Sequence, residues 1–281
     1  MIRLTRHGSP NGALRYVLYA LVALPFVLPV WWVIALALRP TGQPLAGELL
    51  PVPWPPATEN LGRVFEVVDF ARFLANSAFV VAVTVPVTIL VASWAGFALA
   101  QLPSRWRTRI VVLAIAVAML PLTAIWLPRF ILIRELGLID NLWALTLDAL
   151  IATSPFNVLI FLWSFARIPA GIYEAARLDG ASAFRVWGGI AMPLARPTII
   201  AVAVLTFAHH WSSFIEPALY LRSTANMTVT LGLTMLQQLD RGDWPVLMAG
   251  ILIAIGPVVL VFLLSHRAFL HEVRDAGWFG R

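Results

Sequence analysis

The sequence predicts an all-α membrane protein with six transmembrane helices, and three observations carry that prediction. The 281 residues are 60% hydrophobic and only 12% charged, about half the charged fraction of a soluble domain. The mean hydropathy is strongly positive. Six apolar runs are each long enough to cross roughly 30 Å of hydrocarbon, which takes about 20 helical residues. There is no cysteine, which excludes disulfides, thiol nucleophiles and cysteine metal sites.

The six runs cover 16–38, 73–102, 110–128, 142–165, 198–221 and 244–265. The first is too long for a signal-peptide core, and no small-residue cleavage site follows it. Pro25, Pro29, Pro86, Pro121, Pro155 and Pro257 fall inside the runs. Such prolines are tolerated where neighbours re-satisfy the freed carbonyls. They predict either packing kinks or broken helices lining a path. Between the first two runs, LLPVPWPPATEN reads as extended chain, and LGRVFEVVDFARF as an interfacial helix. IRELGLIDN, 133–141, reads as a second short helix on the same side, with a Gly break. No internal repeat is evident, so residues 1–281 read as one transmembrane domain.

All 20 basic residues are arginine and the net charge is +6. With the N-terminus inside, the inner segments hold thirteen of them: Arg3, Arg6 and Arg15; Arg105, Arg107 and Arg109; Arg167, Arg177, Arg185 and Arg196; Arg267, Arg274 and Arg281. Only Glu174, Asp179, Glu272 and Asp275 accompany them among the acids. The positive-inside rule therefore predicts that both termini are cytoplasmic. The short RWRTR turn is the clearest vote; read as a lipid-headgroup patch, it requires the same sidedness. In a membrane protein this charge balance reflects orientation, not nucleic acid.

The absence of lysine has a chemical consequence. A phosphate-binding loop of the GxxxxGK[ST] type needs its Lys, so the chain holds no conventional ATP-hydrolysing site. Schiff-base chemistry falls with it.

The largest inner connection carries EAARLDGASAFRVWGGIAMPLARP, residues 174–197. Its pattern predicts two helices in series. Pro169 suits a first turn, and a helix over 172–178 follows, with Glu174 near its positive end. Gly180 can take the left-handed conformation that ends it. Ser182 caps a second helix running to Met192, stopped by Pro193 and Pro197. Phe184, Trp187, Ile190 and Ala191 fall at helical spacing on one face. Tyr173 and Ala176 present a second, shallow face to a partner. On the residues alone, the unit is either an amphipathic hairpin on the lipid surface or a protein-docking surface.

The spacing EAA, three residues, G, nine residues, I, one residue, LP resembles the cytoplasmic signature of binding-protein-dependent importers of the ATP-binding-cassette class. Here it falls on Glu174, Ala175, Ala176, Gly180, Ile190, Met192 and Pro193, with Met in place of Leu, a volume-conserving exchange. Asp179-Gly180-Ala181 is similar to the family's DGA. The resemblance extends further: ENLGRVF, Asn76-Ser77, Met119-Leu120-Pro121, 136–140 (LGLID), Pro155-Phe156 and Ile168-Pro169 resemble stretches of the second permease subunit of maltose-type carbohydrate importers. Two places depart. The family's WNEF-like site reads Trp211-Ser212-Ser213-Phe214, and its GAVKG-like end reads 275–280, DAGWFG. The resemblance implies a bacterial inner-membrane permease subunit that binds no cofactor itself. Its partners would be a second homologous permease, two ATP-binding subunits carrying ATP and Mg, an extracytoplasmic solute-binding protein and a polar solute of the carbohydrate type. It also implies that the 174–193 unit is the coupling helix. The solute is left open, with a glycerophosphate as the alternative.

Polar groups inside spans are expensive and are functional candidates by default: Asn76, Asp148, Asn157, His209, His210, Ser212, Ser213 and Glu216. Trp126, Trp163 and Trp211 could offer aromatic faces to a sugar. Of these, Asn76, Trp126, Asn157, Trp211, Ser212 and Glu216 are taken as substrate-path candidates. The bland alternatives are interfacial tryptophans and helix-joining Ser and Asn. Adjacent His209 and His210 point about 100° apart on a helix, so no metal site is expected. An ion-coupled transporter would want a buried carboxylate cluster or inverted repeats, whereas Asp148 and Glu216 read as isolated. An enzyme would want a motif such as HExxH or GxSxG, and none is present.

Overall fold

The computed structural model describes residues 11–42, 53–151, 154–239 and 243–275. Among them there are helices, turns and loops, and no strand. Chain contacts divide the protein into two compact units, one of residues 1–68 and 235–255, the other of 69–234 and 256–281.

In the first unit, α1 (Asn11–Ala37) carries two prolines, Pro25 and Pro29, without breaking. Its apolar side chains from Tyr16 to Trp31 are exposed, as a lipid-facing surface requires. After the loop comes α2 (Glu59–Val67). Asn60 is buried, and its Nδ2 donates to Ala37 O at 2.9 Å and Arg39 O at 2.7 Å. It thereby serves the carbonyls that the end of α1 leaves without helical partners. Arg63 pairs with Asp243 at 3.2 Å. The predicted helix over 61–73 is therefore two elements: Val68 is extended, and Asp69 caps a new helix by accepting from Arg72 N.

The second unit is built on α3 (Phe70–Gln101), an unbroken 32-residue helix that contains Pro86. Around it are α4 (Ser104–Ala118), α5 (Leu122–Glu135), α6 (Leu147–Ile151), α7 (Pro155–Ala166), α8 (Ala170–Leu178), α9 (Ala183–Val186), α10 (Met192–Leu194), α11 (Arg196–Ser212) and α12 (Ile215–Tyr220). Two helices link the units along the chain, α13 (Val229–Leu239) and α14 (Trp244–Asp275). At Gly96, α3 and α7 come so close that an added Cβ would lie 2.7 Å from Phe161 Cβ and 2.9 Å from Leu162 N. Small residues at such crossings allow backbones to approach.

Among the described residues, three helices are long and apolar enough to cross a membrane, and counting each of three bent pairs as one span gives up to six. The prolines explain the bends unevenly. Pro121 and Pro155 sit at helix starts, where a missing N–H costs nothing, and the chain turns by 91° between α4 and α5. Pro25, Pro29, Pro86, Pro128 and Pro257 stay inside helices. Three expected spans change. The 142–165 run is a 3-10 turn over 142–145 followed by α6 and α7, bent by 41°. The 110–128 run is broken at 119–121. The 198–221 run is α11 and α12, separated at Ser213-Phe214. A six-span count therefore rests on the three bent pairs, one of them the 183–194 stretch with α11, which meet at 83°; α11 itself has 17 residues, about 25 Å at helical rise.

The predicted helix over 133–141 does not form. After α5 the chain turns at Gly137 (φ 68°) and Asp140 (φ 59°). Asp140 is held by its neighbours: its Oδ1 accepts from Arg222 N at 3.0 Å, Ser223 N at 2.9 Å and Ser223 Oγ at 2.9 Å. Its backbone N–H donates to Tyr220 O at 2.8 Å. The two backbone donors, foremost Arg222, draw its carboxyl down to about 2. A lowered carboxylate pKa adds stability above the unfolded value near 3.9 and loses it as pH falls toward 2. Asp140→Ala is expected to lower the melting temperature in detergent, by a margin that is constant between about pH 5 and 8 and shrinks as pH falls toward 2. A margin that shrinks already near pH 5 would contradict this.

Candidate functional site

The 174–197 segment forms the predicted helix–turn–helix, with three differences. α8 starts at Ala170, and Pro169 is its cap instead of its first turn. Gly180 takes φ 72°, as the turn requires. Ser182 Oγ caps the second helix by accepting from Arg185 N at 3.3 Å. That helix does not stop at Met192. It passes through a π turn at Trp187–Ala191, where Gly188 and Gly189 lie, and continues to Leu194 despite Pro193.

The faces are partly reversed. Tyr173 and Ala176, expected to face a partner, are buried at 9% and 7% exposure. They join Phe97, Phe161, Phe165, Val186, Trp187 and Ala191 in one apolar cluster. Phe184, expected to share one face with Trp187, Ile190 and Ala191, is 65% exposed while Trp187 and Ala191 are buried, and it packs edge-on against Trp94. The apolar spacing was read correctly, but spacing does not say which stripe turns inward. The stripe chosen is the one with a hydrogen-bonding use: Tyr173 Oη donates to Phe165 O at 3.1 Å, and Trp187 Nε1 donates to Ser93 Oγ at 3.3 Å. Burial pushes the Tyr173 phenol above its ordinary value, so it stays a donor. Arg177 Nη2 adds a bond to Gln101 Oε1 at 2.7 Å, at the end of α3.

The segment is thus moored on α3 and α7 and presents a different edge outward. Glu174, Ala175, Asp179, Gly180 and Pro193 are exposed, and Ala181, Ile190 and Met192 are half-buried. Leu178 is 89% exposed at the tip, a cost in water that a partner surface would remove.

A second constellation lies at the other end of α11. Arg129 on α5 reaches Glu216 on α12 at 2.9 Å and Asp148 on α6 at 3.6 Å. Glu216 Oε2 also accepts from Ser213 Oγ at 3.1 Å. Asp148 and Glu216 are therefore not isolated, and that ground against an ion-coupled transporter fails. Arg129 is not a sequence candidate because Pro128 reads as the end of the third span, whereas α5 carries on through it. The one available signal was that 129–135 continues the helical apolar pattern. A cavity of about 100 Å³ opens beside the three charges, lined also by Leu132, Leu145, Leu147 and Tyr220. One ligand atom each from Asp148, His209 and His210 lies within 4.8 Å of the others. The adjacent imidazoles come closer than the helix argument allowed, with ring centroids 5.1 Å apart. Arg129 competes for the Asp148 carboxylate and opposes a metal ion there.

The other substrate-path candidates do not converge on this cavity. Asn76 Nδ2 donates to Ala225 O at 3.0 Å and Met227 O at 2.8 Å, and neighbouring Ser77 Oγ accepts from Val229 N at 2.9 Å. This pair ties α3 to the 225–229 chain. Trp211 is buried and stacks on Phe207. Ser212 Oγ donates to Ala208 O in its own helix. Asn157 is buried in α7, and Trp126 is half-buried on α5. The end corresponding to 276–280 lies outside the described residues.

Comparison with known proteins gives consistent matches along the chain. It is 26% identical to the sulfoquinovosyl glycerol transport system permease protein of Agrobacterium fabrum, covering 96% of this chain and 94% of that one. It is 27% identical to the arabinooligosaccharides transport system permease protein of Bacillus subtilis, over 97% and 98%. The lactose transport system permease protein of Rhizobium radiobacter is 26% identical, over 96% and 97%. A chain from the crystal structure of a bacterial ABC transporter that imports the acidic polysaccharide alginate shares the fold, with a TM-score of 0.77 at 22% identity, over 96% of this chain and all of that one. Residues 88–275, which include both the moored hairpin and the charged cluster, match the profile of the binding-protein-dependent transport system inner membrane component, and the chain belongs to that family.

Proposed function

We propose that this chain is one of two permease subunits of an ATP-binding-cassette importer for a carbohydrate, with the 174–193 hairpin docking on a cytoplasmic ATPase. The observation that carries the coupling role is the mooring of this hairpin. Its inner stripe is bonded to α3 and α7, so a push on the exposed Glu174–Asp179 edge moves those helices with it. Closure of an ATPase dimer on ATP would supply the push, because only an interaction that differs between two states can shift their balance. Glu174 would anchor by charge to a basic residue of the ATPase. The absence of lysine is consistent with energy from another chain. Permease relatives for sugars and oligosaccharides support the solute class, and a related structure, that of an alginate ABC transporter, includes a sugar-loaded periplasmic protein. Under this reading both termini are cytoplasmic and a solute-binding protein delivers the cargo.

The test is reconstitution of the chain with its second permease, the ATPase pair and the binding protein in liposomes. Uptake of a labelled oligosaccharide is expected only with ATP and with all components present. Uptake by this chain by itself, driven by an ion gradient, would overturn the proposal.

A further inference from the structure

The geometry points to the Arg129–Asp148–Glu216 cavity as a binding site for an uncharged sugar ring that discriminates against acidic sugars. The inference rests on carbohydrate import as proposed above and goes on to name the charge class of the solute.

Two buried polar atoms beside this cavity lack a protein partner: Asp148 Oδ1 and Tyr220 Oη. Leaving such groups unpaired is costly, so an occupant that pairs them gains in affinity. One is a pure acceptor, and the other both donates and accepts. Sugar hydroxyls answer both, donating to Asp148 and accepting from Tyr220. Leu132, Leu145 and Leu147 give the cavity an apolar wall against which the C–H face of a ring can lie. At about 100 Å³, the space admits the edge of one ring. Its side chains remain 26%, 19% and 19% exposed at Arg129, Asp148 and Glu216, so the cavity is not sealed.

The charge balance sets the selectivity. One guanidinium faces two carboxylates, which leaves one negative charge when both imidazoles are neutral. The guanidinium bonds Glu216 at 2.9 Å and lies 3.6 Å from Asp148, so an arriving anion must compete with two resident carboxylates for the paired bonds that make Arg selective for carboxylate or phosphate. A solute carboxylate or sulfonate would meet net repulsion in a low-dielectric site. Neutral hydroxyls would not.

The experiment is saturation-transfer difference NMR on the assembled transporter in nanodiscs, without the solute-binding protein. It uses methyl β-glucoside and methyl β-glucuronide at equal concentration. A pH of about 8 keeps ordinary imidazoles neutral, and a chelator excludes metal ions. The glucoside response is expected to exceed the glucuronide response by about fivefold, a difference of roughly 1 kcal/mol. Asp148→Asn should bring the two responses to within about twofold. Tyr220→Phe should weaken the glucoside response about threefold, the worth of one hydrogen bond, and leave the ratio unchanged. The inference is overturned by an absent glucoside response, by a glucuronide response as large, or by an unchanged ratio in Asp148→Asn. If Asp148→Asn does not assemble, an unaltered glucoside response in Tyr220→Phe overturns it. ATP-driven uptake of a sugar without these responses would sink this inference and leave the proposed function standing.

Discussion

Gly96→Val is expected to cost the protein most of its folded yield, and Gly96→Ala to lower its stability measurably. An alanine Cβ at this position would lie 2.7 Å from Phe161 Cβ, 2.9 Å from Leu162 N and 3.0 Å from Val158 O. Two of these are backbone atoms, which cannot rotate aside. α3 and α7 would have to part, and Phe161 and Phe165, both fully buried, would lose contact with Phe97 and Ala92. Overpacking of this kind costs about 1–3 kcal/mol, and valine more than alanine. The measurement is melting temperature and monodisperse yield in detergent, with Gly188→Ala as a matched control, since nothing lies within 4 Å of a Cβ there. Equal melting temperatures for Gly96→Ala and Gly188→Ala would show that the helices are not held this close.

Gly180→Trp is expected to abolish ATP-driven uptake while the protein still inserts and folds. The two effects separate because of where this glycine sits. An added Cβ meets nothing within 4 Å, so the fold bears only the strain of a side chain at φ 72°, about 1–2 kcal/mol. The bulk would project from the exposed edge that carries Glu174, Leu178 and Asp179. A docking groove shaped to a bare turn cannot admit an indole. A loss of more than about tenfold in uptake, equivalent to 1.4 kcal/mol or more of docking energy, should accompany a near-normal membrane yield. Gly180→Ala should show the strain without the bulk. Full uptake by the tryptophan variant would remove the hairpin from the coupling path.

Sequence alone reached the helical class, the apolar runs and the turn at Gly180, because each depends on local chemistry: hydropathy over about twenty residues, or one residue with a permissive φ. It did not reach what depends on contact between distant residues. Tyr173 could point either way, and only Phe165 O on a neighbouring element decides the matter. Gly96 sits in AGFA, a sequence with no sign that α7 passes against it. Arg129, Asp148 and Glu216 are 19 and 68 residues apart in order, so no periodicity joins them. Pro128 misled for a physical reason: a proline near the end of an apolar run reads as a stop, yet the helix carries on through it.

The bend between α4 and α5 has a consequence for biosynthesis. The two arms have 15 and 14 residues, about 22 and 21 Å at helical rise, and neither crosses the hydrocarbon unaided. Counted as one broken span, the pair would have to be accepted by the insertion machinery as one stretch. That stretch would include Arg129, toward its C-terminal end, where a charge costs at most about 2.5–3.5 kcal/mol on insertion scales. Its partners Asp148 and Glu216 are synthesised later, so on that count the arginine would enter uncompensated, and the bent pair would remain shallow and reversible until they arrive. Truncated chains ending before Asp148 are expected to insert this span less completely than chains extending past Glu216, as glycosylation mapping of engineered acceptor sites would report.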